Sequence, residues 1–194
     1  MRYIIMADGR GKRWKNFTGQ SKHLIKIKHE TLLERLVRQL RTFDEDCDIL
    51  ITAKDECHEV KGAIRHRPLN NKDEIDRFTA ELINDQVCFL YGDTYYTDDA
   101  LVGIIKTVGT KLLFFGDEKR IIAVKVFDGS CMKKHVEAVK RVNPNGKGWH
   151  LYQAYTGLEL YEIGHDFVVV EDKTQDFNTP EDYLGFINEK SVLE

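Results

Sequence analysis

Short apolar runs of strand length alternate with amphipathic stretches along the chain, and this alternation most limits what it can fold into. Residues 2–6, Ile49 to Thr52, Val87 to Tyr91 and Phe167 to Val170 are strand-sized. Between them, residues 31–42 place Leu32, Leu33, Leu36, Val37 and Leu40 at helical spacing, and residues 72–83 place Ile75, Phe78, Thr79 and Leu82 on one helical face. Further helices are expected over 98–107, 130–141, around 149–155 and over 180–188. This order predicts a mostly parallel sheet covered by helices on both faces. Leu112 to Phe115 and Ile121 to Phe127, joined by Gly116-Asp117-Glu118-Lys119, read as a hairpin that adds an antiparallel strand. The expected fold is therefore an α/β, three-layer α/β/α sandwich with a mixed, mostly parallel central sheet. No repeat or linker interrupts it, so residues 1–194 are expected to form a single domain.

Composition removes several alternatives. Hydrophobic residues make up 42% and charged residues 31%, the balance of a globular chain. The net charge of −3, from 29 basic and 32 acidic residues, argues against a large nucleic-acid surface. No apolar run approaches a membrane span, and the N-terminus has no signal-peptide core, so a cytoplasmic location is expected. Cys47, Cys57, Cys88 and Cys131 have no CxxC spacing, which excludes a zinc ribbon or a redox pair of that type. The histidines are scattered without metal-ligand spacing.

The first strand runs straight into Ala7-Asp8-Gly9-Arg10-Gly11-Lys12-Arg13-Trp14. In open α/β sheets, ligands bind beyond the carboxyl ends of the strands. Two glycines let backbone approach a ligand, successive amides make an anion-binding concavity, and three cations within four residues favour phosphate. The loop lacks the third glycine of a dinucleotide fingerprint and the Gly-Lys-Ser/Thr ending of a P-loop. Lys22, in Ser21-Lys22-His23-Leu24, is expected at the rim of the same loop.

Two carboxylates stand out. Asp93 follows the apolar run Val87 to Tyr91 through Gly92, which places it at the ligand-binding edge. Its simpler alternative is a turn or helix cap. Asp117 has a similar apolar-Gly-Asp setting, but a strand begins at once after it, so a hairpin role is expected. In Asp176-Phe177-Asn178-Thr179-Pro180-Glu181-Asp182, Thr179 suits an N-cap and Pro180 the first helical position. Asp176 is not needed for that helix start. Two distant carboxylates meeting at one phosphate-bound Mg²⁺ would make a nucleotidyl-transfer site.

In these pieces the sequence resembles the nucleotidyltransferases built on the GT-A-like Rossmann sheet, in particular the molybdenum-cofactor guanylyltransferase-like group and the small sugar-phosphate and phosphocholine cytidylyltransferases. Gly9-Arg10-Gly11-Lys12-Arg13 is similar to their Gly-x-Gly-x-Arg signature, Ser21-Lys22-His23-Leu24 to their Pro-Lys-Pro-Leu segment, Gly92-Asp93 to their metal site, and the segment from Asp176 to Asp182 to their Asp-x-Asn-Thr-Pro-Glu-Asp. The order covers nearly the whole chain. Asp8 stands where these families usually have Ala or Gly, Lys12 replaces Ser or Thr, and His23 replaces a proline. These departures bear on nucleotide preference more than on the reaction.

The resemblance implies transfer of a nucleotide from an NTP to a small phosphorylated acceptor such as a sugar phosphate or phosphocholine, with release of pyrophosphate. It implies NTP binding by Ala7, Asp8, Gly9, Gly11, Arg13 and Lys22, catalytic charge neutralisation by Arg13 and Lys22, and Mg²⁺ held by Asp93 and Asp176. The acceptor belongs nearer the second half, where Lys125, Lys147, Trp149 and Tyr152 are candidates, each with packing or surface roles as the simpler reading. The alternatives are a GT-A glycosyltransferase using a nucleotide-sugar donor and a nucleotide-binding protein without turnover. The first would want Asp-x-Asp, whereas Asp93-Thr94-Tyr95 lacks the second aspartate and Asp98-Asp99 is displaced.

Overall fold

Tyr3, Ile4, Ile5 and Met6 are all buried. A strand reads as a continuous apolar run when strands flank it and helices cover both faces, and that is its position in the computed structural model. The structure describes residues 1–191 other than Arg10, Lys12, Asn16 and Thr18. In chain order the elements are β1 (Arg2–Met6), β2 (Lys26–Ile27), β3 (Glu30–Thr31), α1 (Leu32–Phe43), β4 (Asp48–Thr52), β5 (Ile64–His66), β6 (Val87–Tyr91), β7 (Thr94–Tyr95), α2 (Asp98–Lys106), β8 (Leu112–Gly116), β9 (Ile121–Val126), α3 (Gly129–Val142), α4 (Gly148–Thr156), β10 (Phe167–Val169), β11 (Gln175–Asp176) and α5 (Pro180–Ser191).

The central sheet has seven strands in the order β10-β8-β9-β6-β1-β4-β5. β1 pairs in parallel with both β4 and β6, aligning Tyr3 with Ile49 and with Cys88. The expected neighbours 2–6, 49–52 and 87–91 are thus adjacent. β9 is antiparallel to β6 and to β8, which makes the sheet mixed as the hairpin required. Alternate residues of β1 face opposite layers. Tyr3 and Ile5 join Leu33, Leu36 and Leu40 of α1 and Leu101 of α2, while Ile4 and Met6 join Met132 and Val136 of α3 and Leu151 of α4. Helix α1 starts on a capping box, in which Thr31 Oγ1 accepts from the Glu34 amide at 3.1 Å and Glu34 Oε2 accepts from the Thr31 amide at 2.8 Å.

The helix expected over 72–83 is instead two short 3₁₀ segments, Glu74–Phe78 and Ala80–Leu82. Spacing of three serves a 3₁₀ turn as well as an α-helix, so Ile75 and Phe78 are buried either way. Asp76 Oδ2 accepts the amides of Lys72 and Asp73 at 3.1 and 2.8 Å, and Thr79 leaves helical geometry at φ 9°, ψ 89°. Lys125, considered as an acceptor contact, is buried and donates to the carbonyls of Ile104, Ile105 and Thr107 at 2.7 to 2.9 Å. It closes the C-terminal end of α2, where a cation satisfies the last carbonyls. Tyr152 is likewise a core residue, donating its hydroxyl hydrogen to the His165 carbonyl at 2.7 Å.

The short ribbon β7–β11 was not legible from periodicity, yet it matters most for position. It sets Asp176 opposite Thr94, beside Asp93, and the Phe177 amide donates to the Asp93 carbonyl at 2.9 Å. A third apolar cluster, including Trp14, Ile25, Leu32, Tyr95, Phe177 and Phe186, packs α5 and the glycine-loop end against this ribbon.

Gly92 forms the turn into Asp93 against the end of β1. A Cβ there would stand 2.9 Å from the Met6 carbonyl oxygen and 3.1 Å from Ile5 Cγ2. Gly92→Ala is expected to destabilise the fold by about 1–3 kcal/mol through overpacking. Urea unfolding should show a lower midpoint at unchanged slope, and an unchanged midpoint would refute the close approach.

Candidate active site

The carboxyl edge of the sheet opens into a cleft of about 860 Å³. Its described lining includes Gly11, Arg13, Lys22, Asp93 and Asp176, so five of the residues singled out in the sequence meet in one place. Ala7, Asp8 and Gly9 are not in that lining. Ala7 is buried and its amide donates to the Thr52 carbonyl at 3.0 Å. Asp8 ties two neighbouring loops together, accepting from the Lys54 amide at 3.2 Å and pairing with the Asn71 side chain. Gly9 lies under Arg77, whose Nη2 is 3.4 Å from where a Cβ would be. Arg10 and Lys12 lie outside the described residues. Gly11 has φ +54°, the left-handed region natural to glycine, and its carbonyl accepts from the Trp14 amide at 2.9 Å.

The cleft is organised by a chain of alternating charges and amides. The Lys22 ammonium donates to Asp93 Oδ2, and both residues are only 5% exposed. Lys22 also reaches Asn178 Oδ1 at 3.5 Å, and Asn178 Nδ2 of the same side chain donates to Asp176 Oδ2. Asp176 Oδ1 accepts from Arg120 Nη1 at 2.8 Å, and Arg120 Nε donates to Asp117 Oδ2 at 2.9 Å. Burial by itself would raise the Asp93 carboxyl, but Lys22 and the neighbouring cations win and hold it at about 2. Thr179 and Asp182 start α5 as the sequence suggested, with Asp182 Oδ2 accepting the amides of Asn178 and Thr179 at 2.9 and 2.8 Å.

Several lining residues were not anticipated. Arg77 is paired with Glu74 on the 3₁₀ segment below the glycine loop. Lys119 and Arg120 project from the β8–β9 turn, which had a hairpin role only. Asp117 does hold that turn, accepting the amides of Lys119 and Arg120 at 2.8 and 3.0 Å, but its second oxygen also aims Arg120. Lys147 and Trp149, two of the acceptor candidates, line the far wall. Trp149 stacks on Phe167 at 5.2 Å between centroids. Among the described residues, no group of three or more His, Cys, Asp or Glu could hold a metal ion by itself. The two carboxylate groups and the neighbouring Asn178 amide oxygen are hard-oxygen donors of the kind that Mg²⁺ takes together with phosphate oxygens.

His23, where the resembled families have proline, is buried behind the glycine loop. Ser21 Oγ stands 2.8 Å from His23 Nδ1 and 3.2 Å from His58 Nε2. One hydroxyl hydrogen cannot serve both rings, so at least one imidazole N–H points at Oγ.

Taken together, the sheet order and the flanking helices define a Rossmann-like α/β fold with a mixed, mostly parallel sheet and a cleft at its edge. Solved structures with this fold include the CTP:phosphocholine cytidylyltransferase of Streptococcus pneumoniae (TM-score 0.61, 15% identity, covering 100% of this chain and 99% of that one). They also include the 4-diphosphocytidyl-2C-methyl-D-erythritol synthase of Anaerococcus prevotii (0.63, 14%, 99% and 97%) and the inositol-1-phosphate CTP transferase of T. maritima (0.61, 12%, 100% and 96%). No protein-family model and no curated protein sequence matches the chain.

The buried His23 imidazole is held down at about 3, chiefly by desolvation, against an ordinary value of about 6.5. Between these values the unfolded chain binds the extra proton, so stability falls as pH is lowered through the window. Asp93, depressed from about 4 to about 2, adds a loss in the same direction at lower pH. Denaturant unfolding should therefore weaken from pH 6.5 downwards, with His23 contributing up to about 1.4 kcal/mol per pH unit. His23→Gln should flatten the stretch between pH 6.5 and 4. An equally steep profile in that variant would rule out His23 as the source.

Proposed function

We propose that this protein is a Mg²⁺-dependent nucleotidyltransferase that joins the NMP of an NTP to a small phosphorylated acceptor. The observation that carries this reading is the position of Lys22, which touches Asp93 and Asn178 while lining the same cleft as Gly11 and Arg13. A cation at that junction neutralises charge on an α-phosphate held between a glycine loop and a metal. Ala7, Asp8, Gly9, Gly11, Arg13 and Lys22 make up the proposed NTP site, the first three through the conformation and backing of the loop. Asp93 and Asp176 would hold the ion, whose contribution is to neutralise phosphate charge and fix its geometry.

An acceptor phosphate oxygen attacks the α-phosphorus, the bond to the bridging oxygen of the β-phosphate breaks, and pyrophosphate leaves. The acceptor is already anionic near neutrality, so positioning and charge stabilisation suffice without a general base. By their names, two of the proteins named above act on phosphocholine and inositol 1-phosphate and the third makes a diphosphocytidyl-methylerythritol, which supports a small phosphoester as acceptor. A nucleotide-sugar transferase is disfavoured. Asp98, which would have to serve as its second aspartate, is engaged by Gln39 at 2.6 Å at the start of α2. No helix among the described residues is long and apolar enough to cross a membrane. A cytoplasmic site of action, with NTP at hand, fits the reading.

The test is pyrophosphate release from each of the four NTPs with a panel of sugar phosphates, polyol phosphates and phosphocholine. Asp93→Asn and Asp176→Asn should each lower kcat by about a hundredfold or more, the scale of a lost transition-state contact. Arg13→Ala, an exposed loop change, should weaken NTP binding and leave the unfolding midpoint in place. Full turnover in either aspartate variant would overturn the metal assignment.

A further inference from the structure

The cleft carries more positive charge than one triphosphate site needs, and it comes from two separate places. Arg13, Lys22 and Arg77 surround the glycine loop, whereas Lys119, Arg120 and Lys147 come from the β8–β9 turn and the start of α4. Because β9 is antiparallel, its first residues stand at the edge where the parallel strands end. β6 lies between β9 and β1, so the backbone at the start of β9 stands about 10 Å, two strand spacings, from the end of β1 that leads into the glycine loop. Arg120 is the built member of the second group. Asp117 fixes its Nε, its Nη1 meets Asp176, and a guanidinium has five N–H donors.

Resting on the nucleotidyl-transfer reading, we infer that Arg120 exchanges partners, giving up Asp176 to the metal ion and binding the phosphate of the acceptor. Asp176 cannot give the same oxygen to an ion and to a guanidinium at full strength. When the ion takes Asp176, Arg120 keeps Asp117 as its anchor and gains a charge to spend. A phosphomonoester dianion matches its planar fork bidentately. Such an acceptor sits across the α-phosphate from the glycine loop, the side from which displacement of pyrophosphate is in line. The substrate class is therefore set by its phosphate at Arg120, with Trp149 and Lys147 beside the remainder of the molecule.

The exchange is tested on the whole protein with Arg120→Ala, Arg120→Lys and Asp117→Asn. Mn²⁺ affinity is measured in the presence of a non-reacting α,β-methylene NTP. Titration calorimetry on the Mg²⁺-loaded mixture then follows binding of phosphocholine, glucose 1-phosphate and inositol 1-phosphate, with choline, glucose and inositol as controls. Arg120→Ala should bind Mn²⁺ at least as tightly as wild type, because a competitor for Asp176 is gone. It should bind the phosphomonoester about tenfold or more weakly, the cost of one charged hydrogen-bonding partner. Arg120→Lys should recover part of that loss, and Asp117→Asn should fall between. Weaker Mn²⁺ binding in Arg120→Ala, or unchanged phosphomonoester binding, overturns the exchange, as does failure of all three phosphomonoesters to bind wild type. Arg120-dependent binding without pyrophosphate release would instead keep the subsite and overturn the transfer reaction.

Discussion

The Lys22–Asp93 pair fixes the geometry of this molecule's working edge. Both side chains are buried, and either alone would leave a charge uncompensated at a cost of several kcal/mol. The end of β6 and the segment after the glycine loop therefore cannot move independently. The same aspartate binds a third segment through its backbone, since its carbonyl accepts the Phe177 amide. Three stretches far apart in sequence are thus registered on one residue, and α5 follows because its start is built on Asn178, Thr179 and Asp182.

The parallel strands were legible because burial on both faces writes itself as a continuous apolar run, and α1 because its leucines recur at helical spacing. Residues 72–83 misled because Ile75 and Phe78 are three apart, a spacing that cannot separate one helix type from another. Asp93 was legible from its place after an apolar strand and a glycine. Asp176 was visible as the carboxylate the helix start did not use and through the resemblance of its segment, but the two-residue strands that bring it to Asp93 lie below any periodic signal. Arg77 and Arg120 were invisible for a further reason. A lone arginine in a turn has no pattern, and only the sheet order reveals that the β8–β9 turn reaches the same edge as β1. Asp117 shows how one residue can satisfy a correct local reading and still conceal a second task.

The apolar part of the site explains how a loop rich in glycine and charge stays in place. Trp14 is buried in one cluster with Phe177 and Phe186, and its indole N–H donates to the Gln20 carbonyl at 3.1 Å. Hydrophobic packing is undirected, so it holds the loop without using the backbone amides that an anion needs. His23 acts similarly from below. Kept neutral by burial and joined to His58 through Ser21, it fills the space under Gly9 where a charged ring would repel Lys22 and Arg77.

The chain from Asp117 through Arg120, Asp176, Asn178 and Lys22 to Asp93 alternates sign or polarity at every step. A cleft built from its cations alone would repel itself and would have to be assembled around each substrate. A cleft in which Lys22, Arg77 and Arg120 already have anionic partners is held in shape by those contacts, and catalysis by fixed charges depends on such prior orientation. Each partner is also replaceable in kind. A divalent ion can stand in for the cations at the two carboxylates, and phosphate oxygens can stand in for the carboxylates at Lys22 and Arg120. Ligand binding then swaps contacts of similar strength instead of leaving unpaired charge in the cleft. The two ends of the chain differ in burial. Asp93 is deeply buried with Lys22, while Asp117 sits on a surface turn with Arg120. On the proposed reading, the rigid end suits the nucleotide and the turn suits the acceptor.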